Sequence, residues 1–353
     1  MAYIEVKHVK MTGVTTCVPR QIVENSAYDV IPMEERDQFI RSIGIERRRV
    51  APQEVCTSDL CKEAAEHLLA KIGWAKEEVE LLIFISQTPD YRMPATSCVL
   101  QERLGLPKSC MTIDISQGCS GYVYGLSLIG SLLSTGSIQK GLLLVGNTQS
   151  KNINYRDKSV YPLFSDAGSA TAFEYSEDGD TYQLSYLTDG SKADVIMIPD
   201  GGYRNPITPK SYEEVEEEIG GGIRRNRLNL RMIGDEVFPF VGSNVPKATK
   251  ALLERYGVDK ENIDYFLIHH ASKFIIDKLI RKLELPLEKV PLQLRDFGNA
   301  SNASIPLIIC TSLHDDVLKR ALTLYVSGFG VGLSLGVGVI SIDKLNYADL
   351  IEL

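Results

Sequence analysis

Short apolar runs recur along the chain, separated by stretches in which apolar residues return every three or four positions. LLIFIS (81–86), GLLLVGN (141–147), YFLIHH (265–270) and LTLYVSG (322–328) are the length of strands buried on both faces. Between them, residues 58–72 open on Ser58 and Asp59 and stop before Gly73. Residues 94–104 open on Pro94 and stop at Gly105, and residues 246–256 open on Pro246 and stop at Gly257. Proline just inside a start and glycine just past an end predict three helices with those limits. The alternation of strand and helix predicts layered α/β structure. One segment departs from the pattern. SGYVYGLSLIGSLLST (120–135) carries no charge on any face, so it predicts a helix surrounded by protein, with Cys119 at its N-terminal end.

Residues 321–342 are uncharged and long enough to span a bilayer. Five glycines and many β-branched residues predict instead two buried strands joined by a tight turn. The two halves of the chain share a plan, with a strand leading to a reactive-looking residue, then a helix, then another apolar strand. This implies a duplicated fold with a first half over 1–175, a connection over 176–230 and a second half over 231–353. Within the connection, five Glu in 213–218 and the run GGGIRRNR (220–227) predict a solvated surface.

With 353 residues and ordinary globular composition, the chain can bury a large core. Its net charge of −8 argues against a general nucleic-acid binder. Seven scattered cysteines, at 17, 56, 61, 98, 110, 119 and 310, with no CxxC pair, fit a reducing compartment and no zinc site. The N-terminus lacks the continuous apolar stretch of a signal peptide, and the expected location is the cytoplasm.

Four constellations carry candidate chemistry. In DISQGCSGYVYGL (114–126), Cys119 sits at a strand-to-helix turn flanked by Gly118 and Gly121, where a helix N-terminus is expected to lower the thiol pKa. The competing reading, a buried inert cysteine, is expected for Cys98, Cys110 and Cys310. In LIHHASKF (267–274), two adjacent histidines leave a strand, so His269 and His270 point opposite ways and at most one faces the cysteine. In DFGNASNASIP (296–306), Asn299 and Asn302 are both placed to orient a neighbour, although turn or cap roles are commoner. SGFGVGLSLG (327–336) is a glycine-rich turn able to present main-chain N–H groups to an oxyanion, or simply to allow close packing.

Taken in order, these motifs resemble the β-ketoacyl-acyl-carrier-protein synthase III family of the thiolase superfamily. SIGIERRRVA (42–51), QTPDYRMPATSCVLQERLGLP (87–107), LFSDAGSATAF (163–173) and GDEVFPFVGSNVP (234–246) extend the resemblance over nearly the whole chain. It implies a five-layer αβαβα fold with two duplicated halves around buried central helices, and a homodimer. It implies Cys119, His269 and Asn299 as catalytic residues and the backbone N–H groups of Cys119 and Val331 as the oxyanion hole. Acyl thioesters, as acyl-coenzyme A or acyl carrier protein, and malonyl-acyl-carrier protein are the implied substrates, with no metal and no redox cofactor. Gly330 belongs to the implied substrate-binding turn, and Met93 to the dimer-side end of the acyl pocket. Where coenzyme A-using relatives clamp the adenine between Trp and Arg, this chain has Gln38 and Lys158. Phe274 stands where a basic residue is common, while Lys273, Lys278 and Arg281 keep helix 273–283 basic for carrier-protein docking; an exposed helix face is the bland alternative. Other readings are an acyltransferase of the same fold that does not decarboxylate, a non-catalytic partner subunit and a cysteine hydrolase. Cys119 argues against the subunit, and Asn299 favours decarboxylation.

Overall fold

In the computed structural model, which describes residues 1–217 and 222–353, ten strands join in one sheet. They are β1 (Ala2–Val18), β2 (Leu81–Ile85), β3 (Met111–Ile115), β4 (Lys140–Asn147) and β5 (Ala167–Tyr175). β6 (Asp180–Thr188), β7 (Tyr265–Ile268), β8 (Leu322–Gly330), β9 (Ser334–Ile342) and β10 (Tyr347–Glu352) complete it. The order is β7-β8-β9-β6-β1-β5-β4-β2-β3, with β10 parallel beside β1. Helices α1 (Met33–Ile43), α2 (Thr57–Ile72), α3 (Thr96–Leu104), α4 (Gly121–Leu133), α5 (Gly234–Tyr256), α6 (Lys273–Leu283) and α7 (Ser304–Cys310) pack around it.

The pairing reveals the duplication. β2 runs parallel to β4, β4 antiparallel to β5, and β5 antiparallel to β1. β7, β8, β9 and β6 repeat those senses in the same order. The 17-residue β1 joins the two sets, its start pairing with β6 and its later part with β5.

Strand alternation then builds the layers. Leu81, Ile83 and Ile85 face a central core shared with Leu143, Val145, Leu324 and Val326, where α4 and α7 lie. Leu82, Phe84, Leu142 and Leu144 face an outer core under α2 and α3. Phe266, Ile268, Tyr325 and Val337 face another under α5 and α6. The result is five layers, αβαβα, with α4 buried in the middle as its uncharged sequence predicts.

Most expected helix ends hold, with Gly73, Gly105 and Gly257 in the left-handed conformation after α2, α3 and α5. α3 begins two residues later than expected, because the Asp114 carboxylate accepts from the main-chain N–H groups of Thr96 and Ser97, each at 2.7 Å. α5 begins twelve residues earlier, at Gly234, so Pro246 lies inside it and does not start it. Its buried face, Val237, Phe240, Val241, Val245, Ala248 and Leu252, continues across the proline. Pro246 has no N–H for the Gly242 carbonyl one turn back, and Lys282 Nζ donates to that oxygen instead, at 2.7 Å.

The stretch 176–230, expected only to connect, contains β6, hydrogen-bonded on both edges. Its charges are partly internal, since Arg225 is buried and pairs with the buried Asp157 at 2.9 Å. Glu213, Glu214 and Glu216 are exposed as expected, and Glu218 with Gly220 and Gly221 lies outside the described residues. Residues 321–342 form β8, a tight turn and β9. No helix among the described residues is long and apolar enough to cross a membrane. The described cysteines are all free. Cys110 and Cys310 are buried, but Cys98 is exposed because it lies on the outward face of α3.

Candidate active site

β3 delivers the chain to the turn that carries Cys119 into α4, and Gly121 N–H closes that turn on the Gly118 carbonyl at 2.7 Å. β8 packs directly against it. A Cβ on Gly328 would meet the Cys119 oxygen at 2.8 Å, and one on Gly330 would sit 2.9 Å from Cys119 Sγ. Only glycine permits this approach.

The thiol is 9% exposed. Burial raises its pKa, opposed by the Ser301 hydroxyl and then by the main-chain N–H groups of Cys119 and Val331. The expected lowering by the helix N-terminus is thus outweighed by loss of water.

His269 follows the last residue of β7, and its N–H is bonded to the Ser327 carbonyl of β8 at 2.8 Å. Its Nδ1 lies 3.1 Å from Ser304 Oγ, and Phe329 packs edge-on at 5.4 Å. Burial, then the neighbouring His270, pushes its pKa down to about 3, against the pull of the Ser301 carbonyl. It is therefore neutral near pH 7. His270 points away from the cavity, as strand alternation predicts. It is fully buried with neither ring nitrogen hydrogen-bonded, and burial pushes it down to about 4.

Asn299 is clamped by its main chain. Its N–H donates to the Leu163 carbonyl, and its own carbonyl accepts from Ser165 N–H, each at 2.9 Å. The Ser301 N–H donates to Asn299 Oδ1 at 2.9 Å, which turns Nδ2, a pure donor, toward the cavity. Arg48, from the SIGIERRRVA block, is buried and braces this loop by donating to the Phe164 carbonyl and to Asn25 Oδ1. Asn302, the other candidate, is buried and turned inward, with its Nδ2 donating to the Ile85 carbonyl at 2.9 Å.

Cys119, His269, Asn299, Gly330 and Val331 all line one largely apolar cavity of about 460 Å³, whose walls include Leu163, Phe164, Leu230, Met232 and Phe329. Met93, Gln38 and Lys158 do not. Met93 is 75% exposed, because its segment runs outward after β2; Gln38 is exposed on α1 and Lys158 half-buried in a turn. Phe238 and Phe274 stack at 4.6 Å by the cavity opening. Behind them on α6, Lys273 pairs with Asp277, Lys278 lies over the Phe238 ring at 3.6 Å, and Arg281 Nε donates to the Asp277 carbonyl. Sequence reasoning missed Ser301, Asn147 and Ser304. Asn147 left a signal, a polar residue closing an apolar strand; the left-handed φ of 51° at Ser301 left none.

Known proteins resemble this chain in sequence and fold. The model for 3-oxoacyl-[acyl-carrier-protein] synthase III matches residues 113–190, which hold Cys119, and that for its C-terminal part matches 253–342, which hold His269, Asn299 and Val331. The β-ketoacyl-[acyl-carrier-protein] synthase III of Clostridium perfringens is 33% identical over 338 residues, 95% of this chain and 100% of that protein. That of Streptococcus agalactiae is 32% identical over 336 residues, 94% and 99% of the two chains. The solved 3-oxoacyl-(acyl-carrier protein) synthase from Burkholderia xenovorans LB400 superposes with a TM-score of 0.93 at 38% identity, covering 100% of this chain and 99% of that one. Matched in sequence and fold over nearly its full length, this chain belongs to the β-ketoacyl-acyl-carrier-protein synthase III family.

Proposed function

We propose that the protein loads an acyl group onto Cys119 and joins it to malonyl-acyl-carrier protein by decarboxylative Claisen condensation. The observation that carries this reading is the convergence of Cys119, His269 and Asn299 on one cavity, with the Cys119 and Val331 turn beside them.

In the first half-reaction Cys119 Sγ bonds to the carbonyl carbon of an acyl thioester. The N–H groups of Cys119 and Val331 hold the oxyanion, the bond to the carrier sulfur breaks, and the proton lost by Cys119 ends on the carrier thiol. In the second, the malonyl thioester carbonyl accepts hydrogen bonds from Asn299 Nδ2 and His269 Nε2. This role requires the tautomer in which Nε2 carries the hydrogen and Nδ1 accepts, so the Ser304 hydroxyl must turn its proton to Nδ1 from the Ser301 carbonyl, to which it donates at 2.8 Å. Carbon dioxide leaves, the electron pair of the broken carbon–carbon bond enters an enolate, and those two donors stabilise the charge. The enolate carbon attacks the acyl-Cys119 carbonyl. Sγ departs and takes up a proton, releasing a 3-oxoacyl thioester. His269, held neutral, donates without transferring its proton.

The stacked Phe238 and Phe274, beside Lys278 and Arg281, support docking of an acidic carrier protein at the cavity opening. Lys273 adds charge there, though Asp277 offsets it. Gln38 and Lys158 offer no flat clamp for adenine, so coenzyme A as the starter carrier would be held otherwise. A homodimer, a cytoplasmic setting and catalysis by side chains and main chain alone complete the reading. Its first half spans 1–175. The second begins with β6, and an insertion follows before α5.

Intact-protein mass measurement after incubation with a panel of acyl-coenzyme A and acyl carrier proteins tests the first half-reaction. It reports both the acyl group and its donor. Carbon dioxide release from malonyl-acyl-carrier protein tests the second. An acylated enzyme that releases none would leave only a non-decarboxylating acyltransferase.

A further inference from the structure

The mechanism above makes no use of the Ser301 side chain. That residue is 4% exposed and has a φ of 51°, where a side chain is strained and glycine is not. Strain held at a site points to something the side chain does there.

Hydrogen-bond directions around Ser301 follow from groups that have no choice of role. Gln87 main-chain N–H can only donate, and it meets Asn147 Oδ1 at 2.8 Å. The other end of that amide is therefore Nδ2, which only donates. It lies 3.0 Å from Asn302 Oδ1 and 3.1 Å from Ser301 Oγ. Ser301 Oγ thus accepts from Asn147, and its single proton is free for another partner. Cys119 Sγ lies 3.8 Å away.

We propose that Ser301 is a catalytic residue whose hydroxyl donates a hydrogen bond to the Cys119 thiolate, with Asn147 holding it in the donor role. This rests on the reading of Cys119 as the nucleophile. The proton stays on Ser301, since an aliphatic hydroxyl is a far weaker acid than a thiol. The hydroxyl is the largest influence opposing burial at the thiol, ahead of both main-chain donors. The titratable side chains on the same cavity wall are His269 and Asp235, and no charged side chain is among the influences on the thiol. The main chain of Ser301 reaches the other two catalytic residues. Its N–H holds Asn299 Oδ1, and its carbonyl lies 2.8 Å from Ser304 Oγ, the hydroxyl at His269 Nδ1. One residue in a left-handed turn therefore touches the supports of all three.

The experiment is alkylation of the full-length enzyme by iodoacetamide as a function of pH, read by intact mass, with C119S as the control. S301G removes the hydroxyl, relieves the φ and keeps both main-chain contacts. S301A removes it without that relief, and S301T retains it. The expected result is a rate at pH 8 about tenfold lower in S301G and S301A, with the pH profile displaced upward by about one unit, and a profile near wild type in S301T. A wild-type profile in S301G overturns the proposal. So does an equal loss in all three variants, which would mean a packing role only. Alkylation that persists unchanged in C119S overturns the reading of the nucleophile itself.

Discussion

At Cys119 burial and hydrogen bonding pull in opposite directions, and the balance explains why its neighbours matter more than its place before a helix. The thiol loses water, and the Ser301 hydroxyl, then the Cys119 and Val331 main-chain N–H groups, oppose the resulting rise in its pKa. Gly330 is the residue that leaves the sulfur its space. G330A would push a methyl group to 2.9 Å from Sγ. Its acylation rate should fall by about 100-fold or more while the fold persists, which rapid-quench mass measurement would read. Asn299 acts later. N299A should still accumulate acyl-Cys119, but condensation should fall by about 10²–10³-fold through loss of one enolate donor. Equal loss of both half-reactions would contradict that assignment. Cys119, His269 and Asn299 were legible because reactive residue types stood at element ends, where chains turn into cavities. The family resemblance chose Asn299 over Asn302, which the residue types alone leave open, since both occupy one loop and only the fold turns Asn302 toward the Ile85 carbonyl.

At the scale of elements, α5 shows how a strong local signal misleads. Pro246 looks like a helix start, yet the helix runs 23 residues through it. A proline inside a helix costs about 3 kcal/mol, partly through an orphaned carbonyl. The Lys282 ammonium from α6 satisfies that carbonyl. K282M should lower unfolding free energy by about 1–2 kcal/mol in urea titration. Restoring the N–H with P246A should abolish most of that loss, and additive effects in the double mutant would show that the contact does not serve this purpose. The same contact removes Lys282 from the charges available to a docking partner, a distinction no count of basic residues makes.

Across the whole molecule, two buried histidines link the site to stability. The unfolded chain protonates both near pH 6.5, whereas folding depresses His269 to about 3 and His270 to about 4. Their contribution is present above pH 6.5 and is lost as pH falls toward those values. Asp180 runs the other way, its carboxyl raised by burial to about 6. It gains stability as pH falls below 6 and offsets part of the loss. A net loss on the order of 2 kcal/mol between pH 7 and pH 5 is expected, read as a lower urea midpoint; an unchanged midpoint would contradict it. The duplication also belongs to this scale. Four strands repeat their order and sense, and β1 holds the two sets together.

What the sequence by itself determined is what local chemistry encodes. Apolar runs too short for membrane helices set the strands, an uncharged segment set the central helix, and glycines set where helices stop. Motif order was enough for the family. Tertiary structure decided what depends on residues far apart in the chain. It made β6 part of the second half, because only its partners β1 and β9 identify it as an interior strand. It raised the Cys119 thiol, because burial is a property of the packed molecule. It buried Arg225 against Asp157 and set Met93 outside the cavity, exposed on the single chain. It also set Ser301 in a left-handed turn between Cys119, Asn299 and Ser304, a conformation the identity of the residue disfavours and only the surrounding contacts impose.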